Sequence, residues 1–421
     1  MVRGTATGDL EKMIAALESI LKHRKANPTG KSDELYYEGV IKYLQRIQRA
    51  KEEGTPVIAH TVMIPTEIIY AMDLAPMHLE ATSNMMTILL NQYGERFDMA
   101  RGFGMAPEIC SAHRLLTGGY LQGSMPKADA VIWTNQVCDN TAKAGDALMD
   151  LNNCPGVFFD RPYDYKPWAV DYLVNEMKEM IAFLEEKTGR KMDYDRLGEV
   201  VALSQRVVDL YREIYRIRKA IPAPMRNRSL QSIYVTEMLL NGTPEAVDFF
   251  EGLRDEIQER AGQVSADDEN YRLLFLFLPP SYEMKLLDWM EREHRAKSVM
   301  EPFIFYWAEA EPMDPKKPLE SLAQRSFYRS LVRQMHGPAD YVLEDVMKLA
   351  QEFNTEGVVY FAHLGCRQAC ALIRTLKDAL HRDLDIPTLI VDCDVMDPSL
   401  TNSEDLRNKF EGFFEILDDR K

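Results

Sequence analysis

Hydrophobic residues near the carboxyl end of the chain predict a strand, a loop, a helix and a second strand. Residues 358–361 form a short run of β-branched and aromatic side chains, which favours a buried strand over a helix, and residues 389–391 repeat this signal. Between these runs, apolar residues recur at helical spacing, at Ala371, Leu372, Leu376 and Leu380. A helix that joins two buried strands indicates a parallel β-α-β unit. Cys366 then follows the first strand, at the edge where open α/β sheets bind ligands.

The rest of the chain alternates between long amphipathic segments and short apolar runs. Residues 9–53 have helical periodicity that is broken at residues 27–30, which predicts a helical hairpin. Residues 166–220 predict two long amphipathic helices, and residues 221–262 predict more helix. Runs typical of strands lie at residues 56–61, 75–79, 129–134, 156–159, 273–278 and 303–307.

These patterns predict an α/β fold with four parts. We expect an N-terminal helical segment (1–54), a first α/β domain (55–165), a helical insertion (166–265) and a second α/β domain (266–421). Residues 107–118 are expected to form a helix that contains Cys110. A last amphipathic helix, over residues 403–417, could be capped by Asn402 or Ser403.

The two α/β domains contain an internal similarity. Residues 129–138 and 357–366 match in their apolar run and in the distance from that run to a terminal cysteine. Each stretch is followed by a helix and by a second strand, and residues 155–160 and 387–392 have the same Pro-to-Asp spacing. Two similar domains that each direct one cysteine into a common cleft would explain this pattern. The alternative is that any two β-α-β units look alike, which explains the strands more easily than the cysteines.

Composition and charge restrict the class of protein. A length of 421 residues predicts two or three domains. The formal net charge of −16 argues against nucleic acid or an anionic membrane as the main partner. The sequence has no apolar run long enough to span a bilayer and no signal-peptide pattern, so we expect a cytoplasmic protein. It also lacks a phosphate-binding loop, so any ATP hydrolysis is expected in a partner.

Six cysteines carry the candidate chemistry. No Cys-x-x-Cys pair is present, so the common zinc and ferredoxin spacings are absent. Spacing alone leaves two interpretations open, a metal site shared by Cys110, Cys138 and Cys366 or scattered core thiols. Cys370 follows Cys366 by one helical turn and could replace it as a ligand. The helix after Cys366 is expected to favour a thiolate through its free amides and its dipole.

Several motifs resemble the 2-hydroxyacyl-CoA dehydratase family, which includes the subunits of the ATP-dependent benzoyl-CoA reductases. The similar stretches are His-Leu-Gly-Cys-Arg-Gln at 363–368, Asp-Cys-Asp-x-x-Asp-Pro at 392–398, Asn-Gln-Val-Cys at 135–138, Glu-Ile-Cys at 108–110, and residues 64–76. The resemblance extends from about residue 50 to the C-terminus.

The resemblance implies a fold, a cofactor and partners. It implies two flavodoxin-like α/β domains with additional helices, and a 4Fe-4S cluster held by Cys110, Cys138 and Cys366. Three thiolates on four irons leave one iron open, which could polarise a thioester carbonyl and transfer one electron to it. The resulting ketyl radical would make elimination of water feasible. The implied partners are an acyl-CoA or aroyl-CoA substrate, a second homologous subunit in a heterodimer, and an ATP-dependent iron-sulfur activator.

Two further residues are candidates for catalysis. Glu80 falls where some members of the family place an acid/base carboxylate, and burial there is expected to raise its pKa toward neutrality. The alternative for Glu80 is an ordinary solvated side chain. His60 could donate to the substrate or serve as a structural histidine. It lies in a segment where dehydratase subunits often carry serines that this chain lacks, so no serine role is transferred.

Other polar residues near the cysteines are assigned possible supporting roles. Asn135 and Gln136 could donate to cluster sulfurs, and His363 could orient its loop or a thioester oxygen. The basic residues after Cys366 could contact CoA phosphates or form a solvated helix face; they are Arg367, Arg374 and Lys377.

The leading hypothesis from the sequence is a 4Fe-4S subunit of a 2-hydroxyacyl-CoA dehydratase. A benzoyl-CoA reductase subunit is the alternative within the family. An alternative of another class is a non-catalytic iron-sulfur or zinc protein that transfers electrons or senses redox state.

Overall fold

The N-terminal part of the chain is a helical hairpin. The structure, a computed structural model, describes residues 6–305 and 311–421. Helices α1 (Ala6–Ala26) and α2 (Lys31–Glu53) pack against each other. Helix α2 ends at Gly54, whose φ of 64° is the left-handed conformation that glycine adopts at low cost. The predicted hairpin is therefore confirmed.

A first parallel sheet follows the hairpin. Its elements are β1 (Val57–His60), α3 (Thr66–Ala71), β2 (Ala75–His78), α4 (Leu79–Leu90), α5 (Tyr93–Gly102), α6 (Ser111–Gln122), β3 (Ala130–Thr134), α7 (Asp139–Asn152) and β4 (Gly156–Phe159). The four strands are parallel in the order β2-β1-β3-β4. Strands β1, β2 and β3 are buried along their whole length, which explains their continuous apolar sequence.

A helical segment separates this sheet from the next. It contains α8 (Ala169–Thr188), α9 (Tyr194–Arg218), α10 (Ser229–Leu240) and α11 (Pro244–Ala261). The Asp193 side chain caps α9, and the Thr243 side chain caps α11, which also has proline in its first turn. The two long helices predicted for residues 166–220 are confirmed.

The second sheet repeats the topology of the first. Its elements are β5 (Tyr271–Leu276), α12 (Lys285–His294), β6 (Ala296–Met300), α13 (Pro318–Tyr328), α14 (Ser330–Met335), α15 (Ala339–Glu352), β7 (Gly357–His363), α16 (Arg367–Ala371), α17 (Ile373–Leu384), β8 (Thr388–Cys393) and α18 (Ser403–Asp418). The strands are parallel in the order β6-β5-β7-β8. In both sheets the order by sequence is second, first, third, fourth, as in the flavodoxin-like arrangement. The predicted fold class, two flavodoxin-like α/β domains with extra helices, is confirmed.

Three local predictions differ from the structure. Cys110 precedes its helix as the N-cap residue and is not inside it. The run at 303–307 was expected to be a strand, but residues 303–305 form a turn, and residues 306–310 lie outside the described residues. The strand of this region is β6, which ends just before the run. Phe303 stacks on Phe277 with ring centroids 4.1 Å apart, so its apolar character comes from core packing. The single crossover helix expected after β7 is divided into α16 and α17 at Leu372.

The second half of the sequence also contributes to the core around the first sheet. Helix α13 packs against α8 and α9, and its Leu319, Leu322 and Phe327 are buried in the hydrophobic cluster that contains Ile58 of β1. The segment between β6 and β7 in the sequence therefore packs beside the first sheet. None of the helices in the two described ranges is long and apolar enough to cross a membrane.

Candidate functional site

A cavity of about 200 Å³ lies between the carboxyl ends of the two sheets. Its walls come from residues at or after seven of the eight strands, all except β4, and from α10. In open α/β sheets this edge is where ligands bind, because the loops after successive strands meet there. Most of the lining surface is apolar, so polar groups that reach the cavity are poorly solvated.

Three cysteines line this cavity, namely Cys110, Cys138 and Cys366. Each occupies the same local position, the N-cap of a helix, at the start of α6, α7 and α16 respectively. The Cys366 Sγ accepts a hydrogen bond from the Ala369 amide at 3.4 Å, and the Cys138 Sγ lies 3.1 Å from the Thr141 Oγ1. The cavity therefore brings together the three thiols that the sequence analysis selected.

The loop before Cys366 packs directly on the backbone of Cys110. A Cβ atom added to Gly365 would lie 3.0 Å from the Cys110 Cα and 3.3 Å from the Ile109 carbonyl oxygen. Only glycine allows this approach without a shift of one backbone. Cys110 lies in a loop beside the first sheet, and Gly365 precedes Cys366 in a loop beside the second. This contact therefore fixes the Cys110 and Cys366 thiols relative to each other.

Side chains after β8 also hold the Cys110 segment. The hydroxyl of Ser111 donates to Asp394, whose Oδ1 also accepts the backbone amides of Met396 and Asp397. The Arg114 guanidinium donates to the Asp397 carboxylate at 3.2 Å. The Asp-Cys-Asp-x-x-Asp-Pro motif thus connects the end of β8 to α6 through hydrogen bonds.

Cys366 and Cys370 differ in what they contact. Cys370 does not line the cavity, and its thiol donates to the His363 carbonyl at 3.3 Å. Burial raises the pKa of the Cys366 thiol to about 12, although the Ala369 amide opposes this. The Ala369 amide favours the thiolate, as expected for the start of a helix, but desolvation has the larger effect on the pKa of this thiol. A metal that bound this thiol would have to displace its proton.

The remaining two thiols lie away from the cavity. Cys393 is fully buried in β8, and Cys154 lies just before β4 and packs against the core. Burial raises the pKa of the Cys154 thiol to about 11. Both positions agree with the role of core residues.

Glu80 forms a buried polar cluster with two histidines at the cavity wall. The His113 Nε2 donates to the Glu80 Oε1 at 3.4 Å, and the His78 Nδ1 lies 3.4 Å from the Glu80 Oε2. That contact with His78 is not a hydrogen bond, because the His78 Nδ1 already accepts the amide of Ala81 at 3.3 Å. The Glu80 Oε2 therefore has no hydrogen-bond partner.

This cluster corrects the expected charge state of Glu80. Burial by itself raises the pKa of the Glu80 carboxyl, but the hydrogen bond from His113 and the neighbouring histidine charges bring it below its ordinary value. Burial lowers the pKa of His113, but hydrogen bonds to Cys110 and Glu80 raise it well above its ordinary value. The expectation that the pKa of Glu80 rises toward neutrality is wrong, and the proton resides on His113.

His60 lies behind this cluster. It is buried in β1, its Nδ1 donates to the Thr61 carbonyl at 3.0 Å, and its ring is 5.1 Å from that of His78. It is not among the residues that line the cavity. Burial and the nearby His78 lower the pKa of His60 to about 3, so this imidazole is neutral.

The supporting polar residues mostly hold the fold together. The Asn135 amide accepts the Arg161 backbone N–H at 2.9 Å and donates to Asp160. The Gln136 amide donates to the Met63 carbonyl at 2.9 Å and accepts from Ser326. Both amides are bound elsewhere and do not line the cavity, so the structure gives no support to the suggested contacts with cluster sulfurs.

His363 and the basic residues after Cys366 also have clear positions. The His363 Nε2 donates to the Leu278 carbonyl at 2.7 Å, which ties β7 to the end of β5 and orients the loop. Arg374 has an exposed fraction of 94% and pairs with Asp378, as expected for a solvated helix face. Arg367 forms an exposed ion pair with Asp139, the residue after Cys138.

The sequence analysis missed some residues of the site. His113 follows Cys110 by three positions, and this Cys-x-x-His spacing at a helix start was a usable signal. Tyr234 and Met238 of α10 form part of the wall, but their apolar helical pattern is the same as that of ordinary core residues.

The arrangement of donors restricts the kind of metal group that would fit. Within residues 6–305 and 311–421, no three His, Cys, Asp or Glu side chains are placed to hold one metal ion together. Three thiols that border one cavity without meeting at a point suit a group of several metal atoms better than a single zinc ion.

Comparison with known proteins identifies the family. Residues 61–417 match the family described as 2-hydroxyglutaryl-CoA dehydratase, D-component. The chain is 21% identical over 389 residues to the (R)-phenyllactyl-CoA dehydratase alpha subunit of Clostridium sporogenes, which covers 87% of this chain and 91% of the relative. It is 22% identical over 405 residues to a benzoyl-CoA reductase subunit of Thauera aromatica, which covers 89% of this chain and 92% of the relative. It is also 21% identical over 395 residues to the (R)-2-hydroxyisocaproyl-CoA dehydratase alpha subunit of Clostridioides difficile, with 89% and 93% covered.

The family match begins just after β1 and covers the other seven strands, the helical segment between the sheets and every residue that lines the cavity. It confirms the resemblance that the cysteine motifs indicated. The chain belongs to the 2-hydroxyglutaryl-CoA dehydratase D-component family, together with alpha subunits of 2-hydroxyacyl-CoA dehydratases and a benzoyl-CoA reductase subunit.

Proposed function

We propose that this chain is the 4Fe-4S subunit of a 2-hydroxyacyl-CoA dehydratase and eliminates water from a CoA thioester by one-electron chemistry. The observation that carries this proposal is the set of three N-cap cysteines on one largely apolar cavity at the carboxyl ends of both sheets. The family to which the chain belongs supports the class of reaction.

Cys110, Cys138 and Cys366 would hold the cluster. When bound, a cluster with three cysteine ligands supplies an iron with an open position that can polarise the thioester carbonyl and exchange one electron with it. The apolar wall, which includes Met238 and Phe277, excludes water from the reacting group. The amino ends of α6 and α7 direct their free amides toward an anionic group at the thiols.

Glu80 is proposed as the acid/base residue. His113 holds a proton at its Nε2 and thereby keeps Glu80 ionised at neutral pH. The Glu80 carboxylate, whose side chain lines the cavity, can accept a proton from a substrate there. His60, which lies behind His78, would act on the substrate only through this cluster, so its proposed role is to position His78.

The proposed partners follow from the relatives. Two of them are named as alpha subunits of dehydratases and one as a subunit of a reductase, which supports a second, homologous subunit beside this chain. We also propose an ATP-dependent iron-sulfur activator as the electron donor, because the sequence has no phosphate-binding loop of its own.

A benzoyl-CoA reductase subunit is the second candidate, because the chain is as similar to the reductase subunit as to the dehydratase subunits. The two activities differ in their use of electrons. Dehydration needs only catalytic amounts of reductant, whereas ring reduction consumes reductant in proportion to product.

Anaerobic purification followed by iron and sulfide analysis and an EPR spectrum tests the proposed cofactor. About four irons and four sulfides per chain are expected for one cubane cluster. A protein that contains zinc, or no metal after reconstitution with iron and sulfide, would contradict the proposal. An iron-sulfur protein that acts on no CoA thioester, in the presence of its partner subunit and a reductant, would be the non-catalytic alternative.

A further inference from the structure

Two more cavities follow the candidate site along helices α4 and α10. Asn84 of α4 and Tyr234 of α10 line the candidate site. One turn farther along each helix, Ile88 and Gln231 line a second cavity of about 110 Å³. The two cavities therefore lie at neighbouring turns of the same pair of helices, although no residue lines both.

The second cavity leads to a third, of about 440 Å³, with which it shares Arg24, Asp33 and Arg228. The third cavity lies between the N-terminal hairpin and the segments before α10 and in α12. Four arginines line it, namely Arg24, Arg226, Arg228 and Arg292.

The carboxylates in the third cavity have other partners. Asp288 pairs with Arg228, with its Oδ1 2.9 Å from the Arg228 Nε. Glu256 accepts the hydroxyl of Ser32 at 2.7 Å. Glu291 accepts the backbone amide of Asn227 at 3.0 Å and pairs with Lys297.

The fourth carboxylate, Asp33, accepts the hydroxyl of Thr29. Within the described residues, no ion pair joins Arg24, Arg226 or Arg292 to a carboxylate, and Asp33 and Glu256 of the same cavity are bound by neutral groups of Thr29 and Ser32. Three guanidinium groups without a carboxylate partner border one cavity, in a chain with a formal net charge of −16. Such planar, permanently charged groups are suited to phosphate, which they bind through two parallel hydrogen bonds.

The distance between the arginines and the candidate site matches a pantetheine arm. Tyr234 and Met238 line the candidate site, six and ten positions from Arg228 at the start of α10, which corresponds to about 9 to 15 Å along the helix. The pantetheine arm of coenzyme A has about twelve bonds between its sulfur and its diphosphate, so its extended length is about 14 Å. The second cavity is lined by apolar side chains such as Leu17, Ile20 and Met85 together with polar ones such as Gln231 and Ser232.

We propose that the third cavity binds the adenosine 3′-phosphate and diphosphate of coenzyme A, with Arg24, Arg226 and Arg292 as the phosphate ligands. The pantetheine arm lies in the second cavity, between α4 and α10, and the thioester reaches the cysteines. The identity of the ligand rests on the proposed function. The assignment replaces Arg367, Arg374 and Lys377 as candidate phosphate ligands.

The test is calorimetric titration of the full chain with adenosine 3′,5′-bisphosphate, which has two of the phosphates but no thiol. Arg226→Gln and Arg292→Gln are each expected to weaken binding by roughly tenfold, because each removes charge-assisted hydrogen bonds. Arg101→Gln is the control, since Arg101 on α5 has an exposed fraction of 76% and lies outside all three cavities. Thermal unfolding of each variant checks that it folds.

Failure of the wild-type chain to bind the bisphosphate, or equal affinities for the wild type and both arginine variants, would overturn the assignment. This outcome is separate from failure of the proposed function, because the titration needs neither a cluster nor turnover. A chain that binds the bisphosphate through Arg226 but takes up no iron supports this site and contradicts the proposed function. If the chain is active as a dehydratase but Arg226→Gln leaves its KM for the acyl-CoA unchanged, the proposed function is supported and the phosphate site is contradicted.

Discussion

At the residue scale, the candidate site is defined by side chains whose neighbours set their charge. The thiol of Cys366 is held neutral by burial, Glu80 is held ionised by His113, and His60 is held neutral behind His78. Sequence position alone predicted a raised pKa for Glu80, which is wrong, because the effect of burial depends on the partners that the fold supplies.

Replacement of the cysteines distinguishes ligands from core thiols. Cys138→Ser is expected to reduce the iron content from about four per chain to near zero, because a serine oxygen is a poor ligand for this cluster. Cys154→Ser and Cys370→Ser are matched controls away from the cavity and should retain iron. Iron and sulfide analysis with EPR is the measurement, and loss of the cluster in Cys370→Ser but not in Cys366→Ser would reverse the ligand assignment.

Glu80→Gln tests the acid/base role. The amide keeps the shape of the side chain but cannot accept a proton, so kcat should fall by roughly 10²- to 10⁴-fold. The iron content should not change, since Glu80 is not proposed as a ligand. Turnover of the reconstituted complex is the measurement, and a kcat within about threefold of the wild type would exclude Glu80 as the base.

At the element scale, the site depends on loops that follow strands of different sheets. The β7–α16 loop rests on the N-cap of α6 through Gly365, and the segment after β8 binds α6 through Asp394 and Asp397. These contacts join segments that are more than 200 residues apart in sequence, so the geometry of the thiols depends on how the two sheets pack.

Gly365→Ala tests this contact between loops. The new methyl group would lie 3.0 Å from the Cys110 Cα, so the two loops must separate. We expect a loss of about 1–3 kcal/mol in the free energy of unfolding and a faster loss of iron to a chelator. Chemical denaturation and the rate of iron loss to a chelator are the measurements.

Gly412→Ala is the matched control. Gly412 lies in α18, and an added Cβ there meets no atom within 4 Å. Alanine should stabilise this helix by about 0.5–1 kcal/mol without affecting iron. If both alanine variants behave alike, close packing at Gly365 is not what holds the two cysteine loops together.

At the scale of the whole molecule, buried ion pairs connect segments that are far apart in the sequence. Arg325 of α13 donates to both oxygens of Glu67 in α3, with Nη2 to Oε2 at 3.0 Å, and Ser204 of α9 donates to the same carboxylate. Arg218 at the end of α9 pairs with Glu301 after β6 at 2.7 Å. Removal of one partner from such a pair leaves an uncompensated buried charge.

The Glu67–Arg325 pair predicts a dependence of stability on pH. Burial raises the pKa of Glu67, but Arg325 and Ser204 together outweigh burial and lower this pKa to about 2, from an ordinary value of 4.5. Because the folded-state pKa is depressed, the stabilisation of about 3 kcal/mol is fully present above pH 4.5. It is lost progressively as the pH falls from 4.5 toward 2.

Urea unfolding of the metal-free chain between pH 6 and pH 3 is the measurement. Glu67→Gln should lower stability at pH 6 by about 3–5 kcal/mol and flatten the pH dependence. Glu52→Gln is the control, since Glu52 is exposed on α2. A wild-type chain and a Glu67→Gln variant with parallel pH profiles would show that Glu67 does not carry this dependence.

The sequence by itself determined the class of fold and the three candidate thiols. Buried parallel strands are continuous apolar runs, and long helices repeat every three to four residues, so both are readable locally. The strand predicted at 303–307 is wrong for residues 303–305, because a buried turn and a buried strand have the same apolar composition. The similarity between residues 129–160 and 357–392 was also readable, and it corresponds to the third and fourth strands of two sheets with the same topology.

Only the tertiary structure decided which groups share the cavity and in which protonation state. Tyr234 and the arginine-lined cavity come from segments that carry no signal for each other in sequence. The fit of Gly365 on Cys110 and the position of Cys370 on the far side of its loop also depend on the packing of one sheet against the other. The physical reason is that burial and contact are properties of surfaces brought together by the fold, whereas periodicity and spacing are properties of one segment.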